Sequence, residues 1–413
     1  MLKKLRKAAL VTAMTGLLSS AAWAGELVIN YDGSDPAPKE AFDKVIETFE
    51  AAHPDIKVKW NTFDHEGYKT SIRNFLTAEA PDVAAWYAGN RMAPFVKAGL
   101  FEDVTDLWEE AGLNESLASA AGAMTIDDKK WGVPYTYYQW GIYYRKDIFE
   151  KHGIEVPTKW EDFLAAAAKL KENDITPITI GTKYLWTAAG VFDYLNLRTN
   201  GYAVHNDLTA GKIAYTDDRI KKTFDRWDEL VKPGYFIENH AAMSWQEALA
   251  PMVQGKAAMY VMGNFAVAPL REAGLTDDQL GFFQFPMINP DVEMAEEAPT
   301  DTFHIPAKAK NKEDARTFLK FLAQADTQSM ANEILGQLPI HKDATVKDDK
   351  FIKAGFEMLS NASDLAQFYD RDAPAEMAKA GMEGFQEYMV KPDRRDKILE
   401  RLDKVQKKVY KDE

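Results

Sequence analysis

Residues 27–33 read Leu27-Val28-Ile29-Asn30-Tyr31-Asp32-Gly33, an apolar run that stops at a turn pair. An apolar stretch closed by Asp-Gly is the signature of a short strand leading into a loop. The succession of elements after this strand decides the fold. Residues 36–52 place Ala41, Phe42, Val45, Ile46 and Phe49 at helical spacing, and Pro54-Asp55 ends the pattern. Residues 56–60, Ile-Lys-Val-Lys-Trp, alternate as a strand does and run out at Phe63-Asp64. Residues 66–79 return to the helical period through Tyr68, Ile72, Phe75 and Leu76, and 82–86, Asp-Val-Ala-Ala-Trp, form a third strand ending near Gly89-Asn90. Strand, helix, strand, helix, strand in this order predicts parallel β-α-β units and an α/β sheet.

The same reading extends along the chain. Residues 132–135 lead into the extended apolar run Trp140-Gly141-Ile142-Tyr143-Tyr144, and a short helix begins at Lys146. Helices are expected over 160–172 and 312–323, and over most of 186–249 and 350–413, with turns at 370–374 and 392–393. Strands are expected at 178–181, 257–262 and 282–286, and 304–306 is extended. The acidic stretch 291–297 reads as a solvated loop. Neither an internal repeat nor a Gly/Ser linker interrupts the chain. A chain of 413 residues is too long for one ordinary core. Two domains without a linker imply that the chain crosses between them more than once, and 135–140, 299–304 and 336–341 are the candidate crossings.

Composition narrows the function classes. Lys3, Lys4, Arg6 and Lys7 precede an apolar run over 8–18, and the segment closes Ala22-Trp23-Ala24. A basic head, a short apolar middle and a small-residue exit read as a secretory signal peptide over 1–24. The run is shorter than the roughly 20 residues that span a bilayer. With no Cys anywhere, a lipid anchor, disulfides and thiolate metal sites are excluded. The expected location is a bacterial periplasm. The formal charge of −14 becomes more negative once the basic leader is removed, and no basic cluster remains for nucleic acid or an anionic membrane. Ten Trp and 17 Tyr are the unusual feature, many beside Gly, Pro, Asp and Asn in loops, where such side chains build binding surfaces.

Three stretches carry a resemblance. The first is Gly132-Val133-Pro134-Tyr135 through Tyr144-Arg145-Lys146-Asp147-Ile148-Phe149, followed by Gly153-Ile154 and Pro157-Thr158-Lys159-Trp160. The second is Gly255-Lys256-Ala257-Ala258-Met259 with Met262-Gly263-Asn264-Phe265. The third is His304-Ile305-Pro306 with Asn311-Lys312-Glu313-Asp314-Ala315 and Phe318-Leu319. In this order they resemble the extracellular solute-binding proteins, family 1, of ABC carbohydrate importers, which include maltose-binding protein. Lys159, inserted between Thr158 and Trp160, departs from the family's P-x-T-W pattern.

The resemblance implies a two-lobed periplasmic-binding-protein fold of type II character, with a ligand cleft between α/β lobes and closure by hinge bending. It implies lobe 1 over 25–137 and 304–338, and lobe 2 over 138–303 and 339–413. It further implies a monomer without cofactor, metal ion or catalytic step, whose partners are a sugar or oligosaccharide, such as a glucoside, and the permease subunits of an inner-membrane importer. The same fold serving a non-carbohydrate solute, or a secreted glycoside hydrolase with a carboxyl pair, are the competing readings.

A sugar ring presents hydroxyl edges and apolar faces, so carboxylates, Arg, Asn and His at strand ends, and flat aromatic rings, are the candidate contacts. Asp32 follows the first strand and either accepts hydroxyls or caps the next helix, a role Asp35 could fill. Asp64 poses the same choice. Trp86 ends the third strand as a platform or as core. Alternation admits either Tyr138 with Trp140 or Tyr137 with Gln139 to the cleft, and the first pair is favoured. Trp186 at a helix entry is a platform or a hydrophobic staple. Trp245 is core or wall. Asn264 is preferred over Phe265, whose ring is small for a cleft wall. Asp301 and His304 enter the second crossing, with a structural His as the alternative. Asp370 and Arg371 lie in a charged segment that is either a binding fork or a surface ion-pair cluster.

Overall fold

The computed structural model describes residues 26–411, so the expected signal peptide lies outside the described residues. Two hydrophobic cores divide the chain, each built on one sheet. In the first sheet the strand order is Val58–Thr62, Leu27–Tyr31, Val83–Tyr87, Thr300–His304 and Val133–Tyr137. The first three are parallel and are joined by the helices Pro36–Ala52 and His65–Thr77, as the alternating pattern requires. Thr300–His304 runs antiparallel to both its neighbours. The second sheet orders Leu280–Phe283, Trp140–Arg145, Ala257–Gly263 and Thr176–Thr179. Trp140–Arg145 is buried at every position, which is why its sequence is apolar throughout rather than alternating.

The chain passes between the sheets at 138–139, since Val133–Tyr137 and Trp140–Arg145 belong to different ones. It returns before Thr300, not at 303: residues 301–303 pair with Tyr87–Ala85 and belong to the first sheet, because Thr302 and Phe303 are buried against that core. The third crossing also falls later than 338. His341 and Lys342 donate backbone N–H bonds to Gln328 and Ser116 of the first lobe, and Asp349 is the first acceptor to reach Arg271 of the second.

Other expectations need correction. Glu296–Glu297 is not solvated: both side chains are fully buried in a parallel pair with Leu365–Ala366. Arg198, Gln284 and Tyr194 all donate to Glu296, which is what makes its burial tolerable. Helix fills 186–231 as Trp186–Asn200, Tyr202–Thr209 and Asp218–Val231, but 232–248 is mostly turn and loop. Residues 325–335, outside the expected elements, form the helix Ala325–Leu335.

Candidate functional site

Between the two cores lies a cavity of about 180 Å³, walled by both lobes. The first-lobe wall is polar. Asp32, at the end of the first strand, accepts the Tyr87 hydroxyl at 2.9 Å and lies 3.2 Å from His65 Nδ1. Burial pushes the Asp32 carboxyl up, but the hydrogen bond and charge of His65, with the Tyr87 hydroxyl, outweigh it and hold the group below the usual carboxylate range. Asp301 is pushed up to about 6, chiefly by burial, with Arg371 opposing. The two carboxyls therefore differ in proton affinity although they line one wall.

Arg371 joins the lobes. It comes from the second lobe on the one-turn helix Tyr369–Asp372 and is nearly buried. Its guanidinium donates to Asp301 Oδ1 at 2.9 Å, to the Thr300 carbonyl at 3.0 Å and to the Tyr138 hydroxyl at 3.1 Å, and lies 4.4 Å over the Tyr87 ring. A planar fork with several fixed partners is a rigid donor array rather than a solvated ion pair. Asp370, beside it on the wall, lies 3.9 Å from Arg91.

Aromatic rings form the second-lobe wall. Trp140 and Trp186 meet edge to face at 6.0 Å, Tyr138 and Phe265 at 5.4 Å, and Trp245 and Phe265 at 5.2 Å; Phe368 tilts against Trp140 at 4.9 Å. Perpendicular neighbours lock each other's planes, so the wall offers faces of fixed orientation. Trp186 is held by the backbone as well. Leu185 has φ 73° and ψ −46°, and the Trp186 N–H donates to the Tyr184 carbonyl at 2.9 Å. This is a γ-turn of the rare, strained hand, a conformation that persists only where the surroundings enforce it. Across the mouth, Trp186 Nε1 donates to Glu66 Oε1 at 2.9 Å, with Lys69 Nζ at 3.3 Å from the other Glu66 oxygen. Glu66 and Lys69 belong to the first lobe, so the lobes are in contact over the cavity.

The structure thus brings Asp32, Tyr138, Trp140, Trp186, Asp301, Asp370 and Arg371 around one cavity. The remaining four expected residues lie elsewhere. Asp64 caps the helix His65–Thr77 by accepting the Gly67 N–H at 2.8 Å. Trp86 faces the other side of its strand, with Nε1 on the Arg91 carbonyl at 2.9 Å and its ring edge on Phe95; the neighbouring Tyr87 takes the cavity face. Asn264 is a tie between crossings: it accepts from the Tyr143 hydroxyl at 3.2 Å and donates to the Gly336 carbonyl, while Phe265 lines the wall. His304 is fully buried, stacked on Phe101 at 4.3 Å and hydrogen-bonded to Thr302 and the Trp131 carbonyl; burial lowers its pKa to about 4.

His65, Lys69, Phe368 and Gln337 also line the cavity without having been singled out. His65 is the one the sequence could have yielded, as the first residue of a helix that follows a strand end. Among the described residues no cluster of three His, Asp or Glu side chains is placed to hold a metal ion.

Comparison with known proteins agrees with this architecture. Bacterial extracellular solute-binding proteins match over residues 33–329. The chain belongs to that family. An uncharacterized ABC transporter extracellular-binding protein of Pyrococcus horikoshii is 30% identical over 328 residues, covering 77% of this chain and 72% of the relative. The multiple sugar-binding protein of Streptococcus mutans is 25% identical over 331 residues, 79% of this chain and 77% of its own. Among solved structures, the bacterial solute receptor AcbH, described as having an exclusive preference for β-D-galactopyranose, superposes with a TM-score of 0.87 at 28% identity, covering 94% of this chain and all of AcbH. A chitin oligosaccharide binding protein shares the fold, with a TM-score of 0.84 at 22% identity over 94% of this chain and 99% of its own. A solute-binding protein of this family works outside the cytoplasm, and among the described residues no helix is long and apolar enough to cross a membrane.

Proposed function

We propose that this solute-binding protein is the periplasmic receptor of an ABC sugar importer. It captures a mono- or disaccharide between its lobes, catalyses no reaction, and hands the sugar as a monomer to the permease subunits. The observation that carries the reading is the pairing of opposite walls. Fixed aromatic faces on one side suit the apolar faces of a pyranose. Opposite them, Asp32, Asp301 and Arg371 suit its hydroxyl edge with acceptors and a forked donor. At about 180 Å³ the cavity lies below the ~300–1,000 Å³ of sites for larger ligands, which favours one or two rings over a long chain. The sugar-binding names of the Streptococcus mutans relative and of AcbH support the same class.

A bound sugar bridging both walls favours the closed lobes, and a permease that recognises the closed form can tell a loaded receptor from an empty one. Titration calorimetry with D-galactose, D-glucose, D-xylose, raffinose and chitobiose tests the proposal. Saturable binding of one sugar per chain is expected for at least one of the smaller members. Heat only with a polyamine or amino acid control would overturn it in favour of a non-carbohydrate solute.

A further inference from the structure

Behind the Arg371 turn lies a group of charges that the cleft does not use. Asp193, on the helix Trp186–Asn200, and Glu297, on the strand Glu296–Glu297, are both fully buried. Asp193 Oδ2 accepts the Tyr369 backbone N–H at 2.9 Å. Its Oδ1 and both oxygens of Glu297 meet no N–H or O–H donor. Apart from His205 Nε2, which has no partner of its own, the donors nearby are already engaged. Arg198, Gln284 and the Tyr194 hydroxyl all go to Glu296. His205 Nε2 stands 4.0 Å from Asp193 Oδ1, beyond hydrogen-bond reach, and burial lowers its pKa to about 4, so it is neutral. What Glu297 does face is the Asp193 carboxyl, at hydrogen-bonding range. Two carboxyls can hydrogen-bond only if one of them carries a proton.

The remaining charges around the pair sharpen the point. Asp370 and Asp372 on the Arg371 turn both add negative potential at Asp193, and Asp372 and Glu296 do so at Glu297, although burial pushes Asp372 itself up to about 7, so that its share grows as pH rises. Arg371 is turned toward Asp301 and Thr300, and Arg198 toward Glu296. Tyr369 directs its hydroxyl to Tyr215, not to the pair. Among the described residues nothing around the pair therefore neutralises a second negative charge there, and two buried like charges cannot both persist.

We propose that Asp193 and Glu297 share one proton at neutral pH, and that this proton is a lock tying the interlobe crossing after Glu297 to the turn that carries Arg371. Asp193 is thereby a positioning residue: it reaches the cleft only through the Tyr369 N–H. Its grip depends on Glu297, which sits immediately before the crossing strand Thr300–His304. Losing the proton at alkaline pH sets the two carboxylates against each other, and the turn and the crossing separate.

The test uses the full chain and needs no ligand, so it stands whether or not the cleft takes a sugar. Infrared difference spectra of wild type and Glu297→Gln at neutral pH should show the carbonyl stretch of a buried protonated carboxylic acid that the variant lacks. The Gln amide can donate to Asp193 without a proton on the pair. Amide exchange at Tyr369, corrected for intrinsic rates and followed upward from neutral pH, should therefore accelerate at least about tenfold in wild type as the pair loses its proton, the scale of one unmade buried hydrogen bond, and less than about threefold in Glu297→Gln over the same range. Asp193→Asn, whose amide can donate to Glu297, provides the same infrared comparison if Glu297→Gln does not fold. A wild-type minus Glu297→Gln difference spectrum without a buried protonated-acid band at neutral pH, or equal acceleration at Tyr369 in wild type and variant, overturns the proposal.

Discussion

Replacing Arg371 with Met tests whether the cleft charges are coupled as the geometry says. Met keeps the length and apolar stem of Arg but removes the donors to Asp301, Thr300 and Tyr138. Removing one member of a buried ion pair typically costs about 3–5 kcal/mol, because the other charge is left unpaired. Asp301 has an escape, since it can take up a proton. Its carboxyl already sits at about 6 with Arg371 in place. Against about 3.9 in an unfolded chain, this is a roughly hundredfold difference in proton affinity, worth about 3 kcal/mol. The sign comes from linkage. A raised folded pKa means that the folded state holds the extra proton, so this contribution to stability is present at pH 4 and is lost as pH rises through about 6.

Without Arg371 the Asp301 carboxyl moves higher still, and the window of loss extends past neutrality. Urea unfolding at pH 5 and pH 8 separates the terms. At pH 5 Asp301 is mostly protonated in both proteins, and the variant loses hydrogen bonds to Thr300, Tyr138 and a neutral Asp301 but strands no charge, about 1–3 kcal/mol. At pH 8 the variant should lose about 3–5 kcal/mol. Equal losses at the two pH values would refute the coupling of Asp301 to Arg371.

Three further outcomes are expected. Trp186→Phe keeps a ring on the aromatic wall but deletes the Nε1 bond to Glu66 across the mouth, so the affinity for whichever sugar binds should fall about 2- to 10-fold in calorimetry while the melting temperature changes little. Asp64→Ala should lower unfolding stability by about 1 kcal/mol through loss of the helix cap and leave that affinity unchanged, whereas Asp32→Ala should abolish most of it. Arg198→Met strands a fully buried Glu296 and should cost about 3–5 kcal/mol in urea unfolding, again without touching the cavity wall.

The fold was legible because its signals are local. The parallel units of the first sheet are written in apolar periods that change from two to 3.6 and back within residues 27–87, and the sheet-to-sheet passage at 138–139 falls where an extended stretch is interrupted. The candidate site was legible by residue type and less so by face. Trp86 and Tyr87 are one position apart on a strand, and a one-residue difference of register sends a side chain to the opposite side. Both are large, aromatic and hydrogen-bonding, so nothing in the pair says which faces the cavity; the pairing of Tyr87 with Asp301, which lines the cavity, decides it. Asn264 and Phe265 pose the same problem at the end of Ala257–Gly263.

The least legible feature is the acidic stretch that ends in Glu296 and Glu297. A charge run ordinarily marks a solvated segment, and the groups that make burial possible here are Arg198 and Asp193, about a hundred positions away on another helix. Their distance is itself informative. A carboxylate enclosed far from its sequence neighbours persists only if the fold brings partners to it. Here those partners sit where the chain changes lobes, beside the turn that presents Arg371. Burial at this point therefore couples the route of the chain between lobes to the orientation of the cleft's principal donor, and substitutions at 193 or 297 should change lobe geometry and cleft geometry together. Trp186 and Glu66, at the far edge of the same cavity, touch without any connecting chain, so lobe separation is opposed there by a few part-buried polar contacts, with Lys69 over the Trp186 ring and Gln246 on Asp35, and at the crossings by buried charge. Opening should consequently begin at the mouth and pivot about the strand Glu296–Glu297.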